Sequence, residues 1–236
     1  AEAAEELDGW SPDGRWIYFS SAVNDVARQP DVFRVSAEGG TPLEVSRERY
    51  LSEFQAAPSP DGARIALMAR GISNVQWWRN GSSHIDQTEI WVKPVAGEAG
   101  HRLLLSDAAR HAWPMWSADG QTLTFMSDKG GTENLWRLPL APGATAEQLT
   151  RFTSGRVLFP SSGRPGGPIV FERDMQVWRF DPATGSAAAV PITLRGVPAS
   201  EPRQHRSLTS FDRMALSPDG QKVALVGPNG AGKTTL

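Results

Sequence analysis

The sequence predicts an all-β protein, a β-propeller of four-stranded blades that is incomplete as it stands, with about four blades and a partial fifth. Three observations predict it. A Ser-Pro-Asp-Gly-type turn recurs ahead of short apolar runs, at Ser11–Gly14, Ser59–Gly62, Ser117–Gly120 and Ser217–Gly220. An aromatic residue recurs in a later run, at Phe33, Trp91, Trp136 and Trp178, spaced by 58, 45 and 42 residues. The chain is also rich in turn formers (Gly 23, Pro 18) and in aromatics (Trp 9, Phe 9). That balance favours short strands over long helices.

Each turn opens a hairpin, because Asp-Gly supplies the positive φ of a tight connection between strands. The runs that follow, Arg15–Ser20, Ala63–Met68, Gln121–Met126 and Gln221–Val226, have strand length and strand composition. A degenerate turn, Ser162–Gly167, precedes Pro168–Phe171 in the same way. The third strands are Asp31–Val35, Glu89–Val92, Asn134–Leu138 and Gln176–Phe180. Their aromatic is expected to pack between neighbouring blades. Weaker fourth strands are expected near Pro42–Val45, Arg102–Leu105, Gln148–Phe152 and Ala188–Thr193. Short helical pieces are expected near Glu2–Leu7 and Leu105–Arg110. The blades then span about 1–53, 54–112, 113–155 and 156–210, with a partial blade over 211–226. That last blade supplies two strands. Its open edge is a surface for self-association, and the chain reads as a fragment. A β-sandwich is the competing architecture, but its strands do not repeat period and motif together.

Composition removes several classes of function. A chain of 236 residues buries roughly 70% of its unfolded surface and needs no staple. The formal net charge of −2 leaves no basic footprint for nucleic acid. With no Cys, disulfides, thiolate metal sites and Cys nucleophiles are excluded. No apolar run approaches the roughly 18 residues of a membrane span. Ala1–Leu7 is acidic, lacks a signal-peptide apolar segment and has no initiating Met, as in a processed or excised chain.

The candidate contact residues lie in a long insertion, Ile72–Thr88, between the second and third strands of one blade. Long loops of this kind are often functional. Trp77, Trp78, Arg79, His84 and Asp86 are the residues there suited to contact a substrate or partner. Adjacent Trp residues in a strand point to opposite faces, so one of the two faces a ligand. The four His residues form no ligand pair and no H-E-x-x-H string, so no metal site is expected. There is no G-x-S-x-G elbow. Paired funnel carboxylates could serve a hydrolase, but Asp13, Asp61, Asp119 and Asp219 fall in the repeated turns and are expected to brace them. No catalytic residue is assigned.

The C-terminus is discordant. Gly227-Pro228-Asn229-Gly230-Ala231-Gly232-Lys233-Thr234 matches G-x-x-x-x-G-K-[ST] and looks like the P-loop of ABC-type ATPases. Gly227, Gly230 and Gly232 would free backbone N–H groups for phosphates, Lys233 would reach the β- and γ-phosphates, and Thr234 would ligate Mg²⁺. The motif needs a following helix, and two residues remain. No Walker-B strand or ABC signature accompanies it. The expectation is no cofactor, with ATP and Mg²⁺ only if this tail is a genuine site; a fusion junction, tag or artefact explains it otherwise.

The repeat, with its Ser-Pro-Asp-Gly hairpin, its third-strand aromatic and the Gly39-Gly40-Thr41-Pro42 and Glu147-Gln148-Leu149-Thr150 elements, resembles the TolB-like propeller found also in tricorn-type serine peptidases. The resemblance covers about residues 8–226. Gln76–Arg79 with Ser83–Asp86, Arg151–Val157, Val170–Asp174 and Pro191–Gly196 look more like the tricorn-type group. The resemblance implies a non-catalytic propeller that binds or gates peptide or protein substrates for a separate C-terminal peptidase domain, in an exported or periplasmic protein. No peptidase domain is present in this sequence. A cytoplasmic location, a stand-alone interaction module, a propeller hydrolase and a fragment fused to an ABC-type ATPase stay open as alternatives.

Overall fold

The computed structural model describes residues 5–26, 28–71, 87–97 and 100–193, with the backbone of short strands at 78–79, 82–83, 213–216, 223–226 and 234–235. The chain divides into two units, Ala1–Pro191 and Ile192–Leu236. Among the described residues there is no helix.

The first unit holds four antiparallel sheets of four strands each. Blade 1 is β1 (Glu5–Trp10), β2 (Trp16–Ser21), β3 (Asp31–Ser36) and β4 (Leu43–Ser46). Blade 2 begins with β5 (Leu51–Pro58) and β6 (Arg64–Gly71). A two-stranded hairpin, β7 (Trp78–Arg79) with β8 (Ser82–Ser83), then interrupts the chain before β9 (Glu89–Pro94) and β10 (Arg102–Leu105) complete the blade. Blade 3 is β11 (His111–Trp116), β12 (Thr122–Ser127), β13 (Asn134–Pro139) and β14 (Glu147–Gln148). Blade 4 is β15 (Leu158–Ser162), β16 (Ile169–Arg173), β17 (Gln176–Asp181) and β18 (Ser186–Ala189). Each blade is a meander, and the first strands of consecutive blades, β1, β5, β11 and β15, lie side by side. This is the propeller arrangement.

The recurring aromatic occupies one register throughout. Phe33 lies opposite Phe19, Trp91 opposite Leu67, Trp136 opposite Phe125 and Trp178 opposite Phe171. β6, the second strand of blade 2, is buried on both faces, which explains why it reads as a continuous apolar run. Ile65, Leu67 and Ala69 pack with Tyr18, Val32 and Val45 of blade 1. Ala66 packs with Ile90, Val92, Trp116 and Leu123 on the side of blade 3. Between blades 3 and 4, Met126 and Leu135 meet Val157, Ile169, Phe171 and Phe180. Each large apolar side chain so buried contributes about 1.5–3 kcal/mol.

Three expectations need correction. The expected helical pieces are absent among the described residues: Glu5–Trp10 is strand β1, and β10 ends at Leu105 in a bend where Asp107 accepts the Ala109 N–H. The last strand of blade 3 is two residues, not five, because Phe152 N–H turns inward to Asn134 Oδ1 at 2.7 Å. The last strand of blade 4 ends at Ala189, short of Pro191, which cannot donate to a ladder. The repeated turn joins antiparallel strands, and its Gly supplies the expected positive φ. Gly14, Gly62 and Gly120 have φ of 69°, 68° and 65°, and no Asp at these turns has positive φ.

The second unit contains a three-stranded sheet, β19 (Arg213–Leu216), β20 (Val223–Val226) and β21 (Thr234–Thr235). β20 pairs antiparallel with both neighbours.

Candidate functional site

The turns at one end of the blades are structural. In each, the Ser hydroxyl donates to the Asp carboxylate two residues on, at 2.6 Å for Ser11–Asp13, and the same pair forms at Ser59–Asp61 and Ser117–Asp119. The Asp also accepts the N–H of Arg15, Ala63 or Gln121. The Ser oxygen in turn accepts the N–H that opens the next strand, at 2.9 Å from Trp16, Arg64 and Thr122. The Ser hydroxyl bond leads in holding Asp13 down at about 2, and it lowers Asp61 and Asp119 in the same way. These carboxylates are engaged as permanent acceptors, which does not suit them to proton transfer near neutral pH.

The opposite end of the blades is polar and buried where blades meet. In blades 1 to 3 the residue ahead of the third strand clasps the start of the next blade. Pro30 C=O accepts Glu53 N–H at 2.8 Å, Thr88 Oγ1 accepts His111 N–H at 2.7 Å, and Glu133 Oε2 accepts Val157 N–H at 2.9 Å. Charges gather around these clasps. Glu53 is fully buried and bonds Ser46 and His101. Asp31 is buried beside it, 3.8 Å from Arg47 Nε. Burial, then the charge of Glu53, pushes the Asp31 carboxyl up to about 7. At the next seam, His111 Nε2 lies 2.8 Å from Asp107, which also binds Lys129 at 3.0 Å. Burial holds the His111 pKa below its usual value despite Asp107. At the third seam, Arg156 forks onto Glu133 at 2.9 and 3.0 Å.

Each first strand carries a bulge at one register, between Leu7 and Gly9, Phe54 and Ala57, Ala112 and Met115, and Leu158 and Ser161. Gln55, Trp113 and Phe159 sit there in the left-handed region, with φ of 54°, 54° and 52°. Such a conformation costs roughly 1–3 kcal/mol for a non-glycine residue. Pro114 and Pro160 follow and disfavour helical-type geometry further. The bulges are linked. Asp8 Oδ1 accepts Gln55 N–H at 3.0 Å, Gln55 Oε1 accepts Trp113 N–H at 2.7 Å, and the Trp113 ring meets the Phe159 ring edge-on at 5.8 Å. Burial, partly offset by the Ser20 hydroxyl, raises Asp8 to about 6.

Between blades 3 and 4 lies a cleft of about 470 Å³. Met115, Trp116, Ile169 and Phe180 form its apolar lining, and Arg137, Glu147 and Arg151 its charged part. Arg137 pairs with Glu147 at 2.8 Å. Arg151 is exposed and has no ion-pair partner among the described residues.

Of the residues expected to contact a ligand, Trp77, His84 and Asp86 lie outside the described residues, as do Gly227, Gly230, Gly232 and Lys233. Trp78–Arg79 pairs with Ser82–Ser83. Thr234 lies in β21, opposite Leu225. No group of three or more metal-ligating side chains occurs among the described residues, and no helix there is long and apolar enough to cross a membrane. The inner bulges, the polar seams and the cleft were not foreseen. The one sequence signal for the bulges is the aromatic-Pro pair at Trp113-Pro114 and Phe159-Pro160, each at the same distance from its turn.

Comparison with known proteins agrees with this geometry. Solved structures of similar fold include a TolB-type protein of Agrobacterium tumefaciens, with 21% identity, 77% of this chain and 62% of that chain covered, and a TM-score of 0.59. TolB of Acinetobacter baumannii has 19% identity, 99% and 51% coverage and a TM-score of 0.60. A puromycin-hydrolyzing peptidase of Mycobacterium tuberculosis has 17% identity, 95% and 33% coverage and a TM-score of 0.55. The chain therefore spans about half to three-fifths of the TolB structures it matches. At these identities the likeness concerns the fold. No curated protein sequence matches. Residues 1–186 match the tricorn protease N-terminal beta propeller domain, and the chain belongs to that family.

Proposed function

We propose that this chain is the non-catalytic propeller of a tricorn-type, exported peptidase, and that it binds or gates peptide or protein substrates for a catalytic domain elsewhere. The observation that carries the reading is the cleft between blades 3 and 4. It joins an apolar floor (Met115, Trp116, Ile169, Phe180) to an exposed cation, Arg151, that has no ion-pair partner among the described residues. A concave site with a mainly apolar wall and a few placed polar groups is the usual form of a binding site. The lining suits a peptide that inserts an apolar side chain and sets an anionic group against Arg151. The turn carboxylates are held as hydrogen-bond acceptors, which weighs against a hydrolase that uses them.

The test measures binding and turnover together. Fluorescein-labelled casein peptides are titrated into the full chain and followed by anisotropy, with cleavage followed by chromatography. Saturable binding without cleavage is expected. Thr124→Trp, which fills the cleft, and Arg151→Glu, which reverses its charge, should each weaken binding at least tenfold. Binding indifferent to both substitutions would remove the cleft from the account.

A further inference from the structure

One register of the first strands sits where consecutive blades meet. It is held by Trp10, Pro58, Trp116 and Ser162, opposite Ile17, Ile65, Leu123 and Ile169 of the second strands. The connection between the two positions has the same length in all four blades. The second strand of the preceding blade offers its own residue to each seam: Tyr18, Ala66 or Thr124, all at one register. At the first two seams these positions complement each other in size. Between blades 1 and 2 the large residue is Tyr18, 1% exposed and packed with Ile65 and Leu67, and the smaller one is Pro58. Between blades 2 and 3 the large residue is the buried Trp116, and the small one is Ala66. Between blades 3 and 4 both are small, Thr124 and Ser162, and both line the cleft of about 470 Å³. The cleft is the space that a large side chain fills at the other two seams. Its volume lies within the roughly 300–1,000 Å³ of small-ligand sites.

Trp116 shows which side chain such a space takes. It shares one apolar cluster with Ala66 and Val92 of blade 2 and Leu123 of its own blade, with the half-buried Ala57 against it. Its Nε1–H donates to Ala57 C=O at 2.7 Å, and the Arg64 guanidinium lies over the ring, 4.9 Å from its centroid. One seam further on, the same registers hold Thr124 for Ala66, Arg137 for Val92, Ile169 for Leu123 and Met115 for Ala57. All four line the cleft. An indole lodged there lies against Met115 and Ile169. The Met115 C=O stands at the register that accepts the Trp116 Nε1–H, which satisfies the one polar group of the ring. Arg137 and Arg151 also line the cleft, and guanidinium groups favour an aromatic face over an aliphatic chain.

We infer that the cleft between blades 3 and 4 is a socket for a tryptophan side chain of a bound peptide, which takes there the place that Trp116 takes between blades 2 and 3. This rests on the peptide-binding reading above and names the side chain that the cleft selects.

The probes are fluorescein-labelled Gly-Ser decapeptides with one central Trp, Phe or Leu, titrated into the full chain and followed by anisotropy. The Trp peptide should bind at least tenfold tighter than the Leu peptide, with the Phe peptide between them. Ser162→Trp supplies the missing indole from blade 4 itself. It should raise the midpoint of thermal unfolding and weaken the Trp peptide at least tenfold. Thr124→Tyr supplies the large residue from blade 3, as Tyr18 does from blade 1, and should weaken the Trp peptide likewise. Equal affinity for Trp and Leu peptides, Ser162→Trp binding like the parent, or no binding up to about 1 mM would overturn the inference. So would a lowered midpoint in Ser162→Trp, which would mean that the space does not admit an indole. If casein peptides still bind and Thr124→Trp still weakens them, the peptide-binding function stands and the tryptophan preference alone fails. If casein peptides do not bind either, both fail together.

Discussion

Asp31→Asn should stabilise the protein above neutral pH and do little in acid. Asp31 is 2% exposed, its Oδ2 has no hydrogen-bond partner, and Arg47 Nε is 3.8 Å away. Burial and the Glu53 charge raise its carboxyl from 3.8 to about 7. Because the folded-state pKa lies above the unfolded one, the native state binds the proton more tightly. The stability this group contributes is intact below about pH 4 and declines as pH rises towards 7. Above 7 the full cost of ionising a buried carboxyl is present. A rise of roughly three pKa units, which already contains the relief from Arg47, corresponds to about 4 kcal/mol at 1.36 kcal/mol per unit, and relaxation around the charge brings the expected effect to about 2–4 kcal/mol. The assay is urea unfolding followed by Trp fluorescence for parent and variant at pH 4.5 and pH 8. The variant should be within about 1 kcal/mol of the parent at pH 4.5 and more stable by about 2–4 kcal/mol at pH 8. Destabilisation at pH 8, or one constant difference at both pH values, would mean that Asp31 is ionised and productively paired with Arg47.

Other substitutions probe other parts of the account. Ser59→Ala removes the donor to Asp61 and the acceptor for Arg64 N–H; a loss of about 1–2 kcal/mol is expected in denaturant unfolding. Thr88→Val leaves the buried His111 N–H without its partner and should cost about 1–3 kcal/mol by the same assay. Gly166→Ala adds a Cβ 2.9 Å from Ala118 N at φ +69° and should lower the thermal midpoint by several degrees, whereas an alanine at Gly185, also at φ +69° but with nothing within 4 Å, should cost less. Mg-ATP should leave the thermal midpoint of both the parent and Lys233→Ala unchanged; a nucleotide-dependent rise lost in the variant would establish the C-terminal motif as a site.

The blades were legible because their signals are local. The Ser-Pro-Asp-Gly turn and the third-strand aromatic both lie within one unit, and the register of Phe33, Trp91, Trp136 and Trp178 follows from that. The turn chemistry was legible as well, since the Asp residues were expected to brace these turns. Gly carries the positive φ, while Asp serves through its carboxylate. The seams were not legible, because their partners are far apart in sequence: Ser46 and Glu53 meet His101, and Thr88 meets His111. The left-handed residues were hidden for another reason. Gln, Trp and Phe carry no propensity for that conformation, and only their shared distance from the turn betrays it. The expected contact residues in the insertion remain an expectation from sequence, since Trp77, His84 and Asp86 are outside the described residues.

The most direct test of the central claim is a single titration of the purified chain with labelled casein peptides, read for binding and cleavage in the same tubes. A non-catalytic binding propeller predicts saturable binding that Thr124→Trp weakens and no new peptide ends after prolonged incubation. Cleavage that copurifies with the chain and is abolished by substituting one of its own Asp or Glu residues would contradict it.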